Sequence, residues 1–422
     1  MFDIVVLIAF VPLGIAALLP MYWAWRHLIY FYRHTRVTPP VQEPCPNVVV
    51  ILCLRGADPS LDACLQGLLH QDYPHYHVHI VVDHRDDPAW SRVQDILARG
   101  YPSKVQVHVQ TLEKPCPKCS LKVCSQLQVV SQLSPEIDAV VLIDADSIPA
   151  PDWLRAMVEP LHDPKVGACT GMRWFAPVDG GWGSLIRHIY SAGSYPQMFA
   201  FDHPWGGSLA IRAELFRRST LKQRWCQALC EDSAVAGPLR ELGMRLAWVP
   251  AATQINRESI PFKAVLPWVL RQLLCVRLDH VDWPILMAAN VLNSIAVIMI
   301  ILLMALGVWL EEWHWTLIGG GILALFGGGM FAALVLADLA IRRNFRSRGL
   351  EPPPIVWGWR MIPAFFYTQF VSMKLLMRAH YLRQVPWRGV RYAIQGPGDI
   401  RLEQYEPYRP PEQTASSQHS VV

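Results

Sequence analysis

The sequence predicts an α/β domain with a mostly parallel sheet, joined to membrane-spanning and interfacial helices. Short β-branched runs alternate with helical segments between residues 48 and 143, which is the pattern of parallel strands covered by helices. Of the 422 residues, 52% are hydrophobic and only 17% are charged, and the mean hydropathy is +0.21. This apolar excess is larger than in ordinary soluble enzymes and indicates membrane spans.

The first element is an N-terminal transmembrane anchor with a basic flank, residues 1–36. Ile4–Trp25 is almost uninterrupted apolar sequence, and about 20 such residues cross a bilayer. It has no basic stretch before it and no clear small-residue cleavage site, which favours an uncleaved anchor over a signal peptide. An aromatic belt is followed by basic residues, so the positive-inside rule places the next domain in the cytoplasm. These residues are Tyr22, Trp23, Trp25, Arg26, Arg33 and Arg36.

The second element is a cytoplasmic α/β domain, residues 37–257, which begins with the Pro-rich linker Thr38–Asn47. The predicted strands are Val48–Leu52, His77–Val82, Val105–Val109 and Ala139–Ile143. Predicted helices lie around Asp62–His70, Ala89–Ala98 and Leu121–Gln132. The alternation of the two kinds of segment predicts a sheet with helices covering it.

The C-terminal third combines an interfacial helix with further apolar segments. Residues 258–282 predict an amphipathic helix in the membrane interface, because basic residues are spaced along apolar Pro261–Leu278. Residues 283–380 hold two convincing spans, Trp283–Leu310 and Trp315–Ile341. The third segment, Trp357–Met377, contains Arg360 and Lys374, and a re-entrant or interfacial helix is the alternative to a span. Residues 381–422 predict a basic tail with a disordered end.

Cysteine usage and net charge add weaker expectations. The ten cysteines are scattered, several within apolar runs, which favours free thiols in a reducing, cytosol-facing compartment. A net charge of +4 is a mild surplus, and we expect no nucleic-acid partner. The sequence does not set the oligomeric state.

Acidic residues follow two of the predicted strands, and ligands of parallel sheets bind at the carboxyl ends of strands. Asp83, Asp86 and Asp87 follow the second strand, where a carboxylate could bind a nucleotide base or ribose; a solvated acidic turn is the alternative. Asp144 and Asp146 end the apolar strand Ala139–Ile143. Both could approach one Mg²⁺ or Mn²⁺ ion, since these cations prefer oxygen ligands. A helix N-cap would explain one polar residue there but not both acids.

Two later motifs also carry candidate chemistry. "WGGSLAIR" begins with Trp205, Gly206 and Gly207, and paired glycines permit close backbone approach to a ligand, or form an ordinary turn. Glu231 and Asp232 begin a helical segment. Acids are favoured at a helix N-terminus for electrostatic reasons, but one of them could also be a general base for an acceptor hydroxyl.

In this order, the motifs resemble membrane-bound family-2 glycosyltransferases with the GT-A (Rossmann-like) fold, and more narrowly their ceramide glucosyltransferase-like branch. The resemblance covers roughly Arg55 to Tyr392. It includes "DDPAW", Lys122 in "SLKVCSQL" and the C-terminal "WRGVRY". The branch's opening motif is matched by Arg55, Gly56, Asp58, Pro59, Leu61, Asp72, Tyr73 and Pro74.

The resemblance implies transfer of a hexose, with glucose as the first candidate, from a UDP-sugar to a lipid hydroxyl with inversion. It assigns Asp86, with Asp83 as the alternative, to the uridine, and Asp144 with Asp146 to the nucleotide and a Mg²⁺ or Mn²⁺ ion. Asp232 would be the catalytic base. The remaining substrate-binding candidates are Lys122, Trp205, Gly206, Gly207 and Glu231.

Two departures from the branch affect these assignments. Its Gln/Arg-X-X-Arg-Trp motif is replaced by "WVLRQ", so Arg271 becomes the expected diphosphate contact and Arg277 the runner-up. Asp-Ala-Asp stands where the branch often has Asp-Ser-Gly, so both carboxylates are available for a metal. The alternatives to a lipid glycosyltransferase are a processive exopolysaccharide synthase and a non-catalytic membrane protein with a degenerate nucleotide-sugar domain.

Overall fold

The computed structural model describes residues 2–35, 43–356 and 358–409. The first part of the Pro-rich linker, Trp357 and the end of the C-terminal tail lie outside these ranges. The α-helices are α1 Phe2–His34, α2 Leu61–Leu69, α3 Pro88–Leu97, α4 Leu121–Val130, α5 Trp153–Val158, α6 Trp182–Ala200, α7 Ala213–Arg218, α8 Leu221–Trp225, α9 Ala236–Glu241, α10 Phe262–Asp279, α11 Trp283–Trp309, α12 Trp313–Ser347 and α13 Met361–Tyr381. The strands are β1 Val48–Leu54, β2 Tyr76–Val82, β3 Val105–Thr111, β4 Ala139–Ile143, β5 Val166–Thr170, β6 Arg173–Phe175, β7 Ser208–Arg212, β8 Arg245–Trp248, β9 Gln254–Asn256, β10 Gln384–Trp387, β11 Val390–Gly396 and β12 Asp399–Gln404.

A seven-stranded sheet forms the centre of the α/β domain, in the order β3-β2-β1-β4-β7-β5-β8. Pairing is parallel except for β7, which runs antiparallel to β4 and β5. The four strands predicted from β-branched runs are β1 to β4, and the three predicted helices are α2 to α4. The predicted fold class is therefore confirmed.

The sheet packs against other elements on both faces, and alternate residues of β1 and β4 are buried in two different hydrophobic cores. Val50 and Val141 pack with the helices α2, α3 and α5. Ile51 and Leu142 pack with α4, α6, α10 and the C-terminal elements. This division follows from the two-residue period of a strand. The second core joins the sheet to α6, α10 and the C-terminal elements.

Three of the described helices are long and apolar enough to cross a membrane: Asp3–His34, Trp283–Trp309 and Trp313–Ser347. They correspond to the predicted anchor and the two predicted spans. Large apolar side chains such as Ile8, Leu302 and Leu317 remain exposed on them, as expected of lipid-facing residues. The helix α13, in the ambiguous third segment, is not among the three. It packs instead on α10 and α6, and α6 packs on α1.

Part of the expected basic tail is folded. Strands β10, β11 and β12 form an antiparallel sheet, which sequence analysis did not predict. Val385, Val390, Tyr392, Ile394 and Ile400 are buried in the same core as α4 and α10. Residues 384–404 therefore pack against the α/β domain, whereas the expected disordered end lies outside the described residues.

Candidate active site

A cavity of about 210 Å³ lies at the carboxyl ends of β1, β2 and β4. Since these strands are parallel neighbours, the residues that follow them meet at one edge of the sheet. The helix α10 and the β10–β11 hairpin form the other walls. The charged residues lining the cavity are Arg55, Asp58, Asp83, Lys122, Asp144, Asp146, Arg173, Arg187, Glu231, Asp232, Glu258, Arg271 and Arg388.

Lys122 bridges two of the acids. It lies in the first turn of α4, which Ser120 caps through its side chain, and its Nζ is 2.6 Å from both Asp144 Oδ1 and Glu231 Oε1. Burial opposes the charge of Lys122, but the two carboxylates outweigh burial and raise its pKa. Burial raises the pKa of Glu231, whereas for Asp144 the effect of burial is outweighed by Lys122 and Arg173, so that its pKa is lowered.

Asp146 presents one free oxygen to the site. Its Oδ2 accepts hydrogen bonds from Arg173 Nη1 at 3.1 Å and from Asn256 Nδ2 at 3.3 Å. Its Oδ1 is buried and has no hydrogen-bond partner among the described residues. A buried oxygen without a donor is costly unless something else binds it, and a divalent cation would suit a carboxylate oxygen. Within the described ranges, however, no group of three or more His, Cys, Asp or Glu side chains is arranged to hold a metal.

Asp232 is held by neutral donors only. Its Oδ2 accepts from the Gly206 backbone N–H at 2.8 Å, and its Oδ1 accepts from the Ser233 backbone N–H at 2.7 Å. No cation of the described residues forms an ion pair with it. Burial raises the pKa of Asp232, while the field of Lys122 and these hydrogen bonds oppose the rise. A carboxylate of increased basicity without a cationic partner is suited to accept a proton.

The paired glycines make room for the acids. A Cβ at Gly206 would lie 2.2 Å from Glu231 Oε1, and a Cβ at Gly207 would lie 2.1 Å from the Trp205 ring and 2.6 Å from Asp144 Oδ2. On sequence grounds these glycines permit close approach of a ligand or form an ordinary turn. In the structure their immediate neighbours are the carboxylates and the Trp205 ring, and contact with a ligand stays a prediction.

Arg271 lines the cavity and Arg277 does not. On α10, the Arg271 guanidinium lies 5.1 Å from the centre of the Trp387 ring and has no carboxylate partner among the described residues. Burial, together with Arg173 and Arg388, lowers its pKa to about 10. Arg277, the runner-up, points elsewhere and donates to the carbonyls of Ala379 and Leu382.

Of the three acids that follow β2, only Asp83 reaches the cavity. It is 3% exposed, pairs with Arg55 and accepts from the Tyr408 backbone N–H at 3.2 Å. The side chain of Asp86 is 87% exposed, lies beside His84 and does not line the cavity. The first choice for the uridine contact is therefore misplaced, because the turn directs Asp86 into solvent. Asp87 has a structural role, since it caps α3 by accepting from the Ala89 N–H at 2.8 Å.

Comparison with known proteins identifies the family. The sequence profile described as glycosyl transferase family 21 matches residues 6–400. The chain belongs to glycosyl transferase family 21. A ceramide glucosyltransferase from Komagataella phaffii is 36% identical over 67 residues, which is 16% of this chain and 13% of that protein. The chain thus matches only a small part of this relative.

Two solved structures are similar to this family 21 chain to different degrees. A mannosyltransferase from Pyrobaculum calidifontis, solved with GDP-mannose and Mn²⁺, has a TM-score of 0.52 at 20% identity and covers 79% of this chain and 97% of its own. A glucosyl-3-phosphoglycerate synthase from Mycobacterium tuberculosis, solved with Mn²⁺, UDP and glucosyl-3-phosphoglycerate, has a TM-score of 0.36 at 15% identity over 55% of this chain and 80% of its own. The first of these supports the GT-A-like fold.

Several cavity residues of this family 21 chain were not candidates on sequence grounds. Arg173 contacts Asp146, Arg187 lies 3.9 Å from Glu258, and Arg388 lies 2.9 Å from Asp58. Asp58 and Arg388 belong to motifs quoted for the resemblance, so a signal existed for them. Arg173, Arg187 and Glu258 had none.

A disulfide was also unexpected. Cys230 and Cys275 are bonded, although the sequence favours free thiols. Both line the cavity, and the bond connects the residue before Glu231 with the helix that carries Arg271.

Proposed function

We propose that this chain transfers a hexose, with glucose as the first candidate, from a UDP-sugar to a hydroxyl group of a membrane lipid, with inversion. The observation that carries the proposal is that Asp232 and Arg271 line the same cavity: one is a basic carboxylate, the other an arginine without a carboxylate partner among the described residues. The short match to a ceramide glucosyltransferase supports the choice of sugar and of a lipid acceptor.

In the proposed reaction, Asp232 accepts the proton of the lipid hydroxyl while the hydroxyl oxygen bonds to the anomeric carbon. The bond from that carbon to the diphosphate breaks on the opposite side, so a single displacement inverts the configuration. Arg271 stabilises the negative charge that grows on the leaving diphosphate, an electrostatic effect that typically contributes several kcal/mol. Asp83 accepts a hydrogen bond from the uracil, while Lys122 and Glu231 hold Asp144 in place.

Asp144 and Asp146 would hold a Mg²⁺ or Mn²⁺ ion, with donor phosphates completing its ligands. The unpartnered Oδ1 of Asp146 and the hard oxygen donors fit such an ion. The similar mannosyltransferase was solved with Mn²⁺. A bound ion would neutralise phosphate charge in the donor.

The membrane arrangement fits a soluble donor and a lipid acceptor. In the proposal α1, α11 and α12 span the bilayer, and the α/β domain lies on the cytoplasmic side because basic residues lie in the C-terminal part of α1, among them Arg26 and Arg33. The helix α10 lies at the interface and carries both Trp268 and Arg271 into the cavity. The acceptor can then reach Asp232 without leaving the lipid phase.

The test is incubation of membranes that contain the full chain with a panel of labelled UDP-sugars, followed by identification of the labelled lipid. We expect one labelled glycolipid, bearing a single sugar, from the wild type and from Asp95→Asn, which removes an exposed acid of α3 that does not line the cavity. Asp232→Asn should yield none. A labelled polymer would favour the processive synthase, and no labelled lipid from any donor, given verified expression and a broad lipid supply, would overturn the proposal.

A further inference from the structure

The tip of the β10–β11 hairpin lies in the cavity of the candidate active site. Trp387 of β10 pairs with Val390 of β11, so Arg388 and Gly389 form the two-residue turn between them. Trp387, Arg388 and Val390 all line the cavity. The hairpin is fixed in place because Arg55 Nε donates to the Arg388 carbonyl at 2.8 Å, and the Leu121 N–H donates to the Tyr392 hydroxyl at 3.1 Å.

The backbone at this tip is unusual for arginine. Arg388 has φ +47° and Gly389 has φ +77°. Positive φ at both positions is the type I′ geometry, which strongly favours Asn-Gly. Among the described residues, Asp202 and Glu311 are the other non-glycine residues with positive φ, and neither lines the cavity. Strained backbone of this kind concentrates at ligand-binding positions.

The Arg388 side chain is placed among the groups that would surround a diphosphate. Its Nη2 is 2.9 Å from Asp58 Oδ2 and its Nη1 donates to the Arg55 carbonyl at 3.2 Å. Its charge interacts with those of Asp144, Asp146 and Arg271. The neighbouring Trp387 ring stacks on Arg271. The hairpin thus supplies one cation to the cavity and supports another.

We propose that Arg388 is a further donor-binding residue, which contacts the diphosphate of the nucleotide-sugar together with Arg271. This inference rests on the proposed function. The planar guanidinium fork suits phosphate oxygens, and Arg388 would supply a second such fork in the cavity beside that of Arg271. Residue 388 is arginine rather than asparagine because donor binding requires the charge that the turn geometry disfavours.

The alternative is that the Arg388–Asp58 ion pair only attaches the hairpin to the domain. Arg388→Asn distinguishes a role in donor binding from a role in attaching the hairpin, because it forms the favoured Asn-Gly turn and removes the charge. We expect UDP, titrated with Mn²⁺ into the purified full chain in lipid nanodiscs, to bind at least tenfold more weakly to this variant. The midpoint of thermal unfolding is measured in parallel, because the favoured turn should stabilise the hairpin while the buried Asp58 loses its cation. Arg391→Asn, an exposed arginine of the same hairpin, should change UDP affinity less than twofold.

Asp58→Asn provides a second test if Arg388→Asn lowers both stability and affinity. It removes the ion pair and keeps the cation, so UDP affinity should fall by less than in Arg388→Asn. An equal or larger fall would show that attachment of the hairpin is what matters, and would overturn the inference. Unchanged UDP affinity in Arg388→Asn would overturn it as well, while leaving the proposed function intact. A wild-type chain that binds no nucleoside diphosphate would overturn both.

Discussion

Two regions of the chain line the cavity: the ends of the first strands, and the later segment that contains Asp232 and Arg271. Their charged residues differ in whether they have ion-pair partners. At the strand ends, Asp83, Asp144 and Asp146 each lie against a cation of the same domain. In the later segment, Asp232 and Arg271 have no ion-pair partner among the described residues. A paired charge is compensated without ligand, whereas a half-buried charge without a partner, such as that of Asp232 or Arg271, is retained at a cost. From this difference we expect the strand-end acids to release their cation partners when they bind the donor or a metal ion. We expect Asp232 and Arg271 to act directly on the reacting groups.

The largest expected effect is that of Asp232→Asn. An asparagine has nearly the same shape but cannot accept the proton, so turnover should fall by roughly 10²- to 10⁴-fold, the usual contribution of a general base. UDP affinity, measured by calorimetric titration, should remain within about twofold of wild type, since in the proposed function Asp232 acts on the acceptor hydroxyl. A proportional loss of UDP binding and turnover would contradict this division between the two regions.

Arg271→Ala is expected to have the next largest effect. Loss of a group that stabilises charge on the leaving diphosphate should lower kcat by about 10²- to 10³-fold. Arg277→Ala is the matched control on the same helix. It removes two hydrogen bonds to carbonyls and should reduce stability by about 1–3 kcal/mol, with kcat of the folded protein nearly unchanged. If Arg277→Ala lost more turnover than Arg271→Ala, the assignment of the two arginines would be reversed.

The two regions also differ in how far the sequence predicts them. Strands β1 to β4 were predicted because β-branched runs and terminal acids are local signals, and the pair Asp144 and Asp146 came from the same signals. Asp86 was ranked ahead of Asp83, since no local pattern shows which of the two acids the path of the turn directs into solvent. Contacts such as Arg388 with Asp58, 330 residues apart, depend on tertiary packing that no local pattern encodes. The short strands of the C-terminal sheet were missed because sheet formation there depends on burial against α4 and α10.

A metal titration tests whether Asp146 exchanges its partner Arg173 for a metal ion when the donor binds. Asp146→Asn should weaken Mn²⁺ binding in the presence of UDP by at least roughly tenfold, a loss seen even for supporting residues of metal sites. The measurement is an electron paramagnetic resonance titration of free Mn²⁺. Glu258→Gln, another acid lining the cavity, should change the affinity less than about twofold. Equal Mn²⁺ affinity in Asp146→Asn and wild type would mean that Arg173 remains the partner of Asp146 in the working enzyme.

The smallest expected effect concerns the neutral donors around Asp232. Its carboxylate must be ionised to act as a base, so activity should fall as the pH drops through its pKa, which burial raises above the ordinary value. The Ser233 hydroxyl lies 3.2 Å from Asp232 Oδ1 and stabilises the ionised form. Ser233→Ala should therefore raise this pKa further and move the acid limb of the kcat/KM profile to higher pH, with little change at the plateau. Ser91→Ala, at an exposed helix position, should leave the profile in place. A shift of the limb to lower pH in Ser233→Ala would show that the group titrating there is not Asp232, and would remove the main reason for treating the unpaired acid as the base.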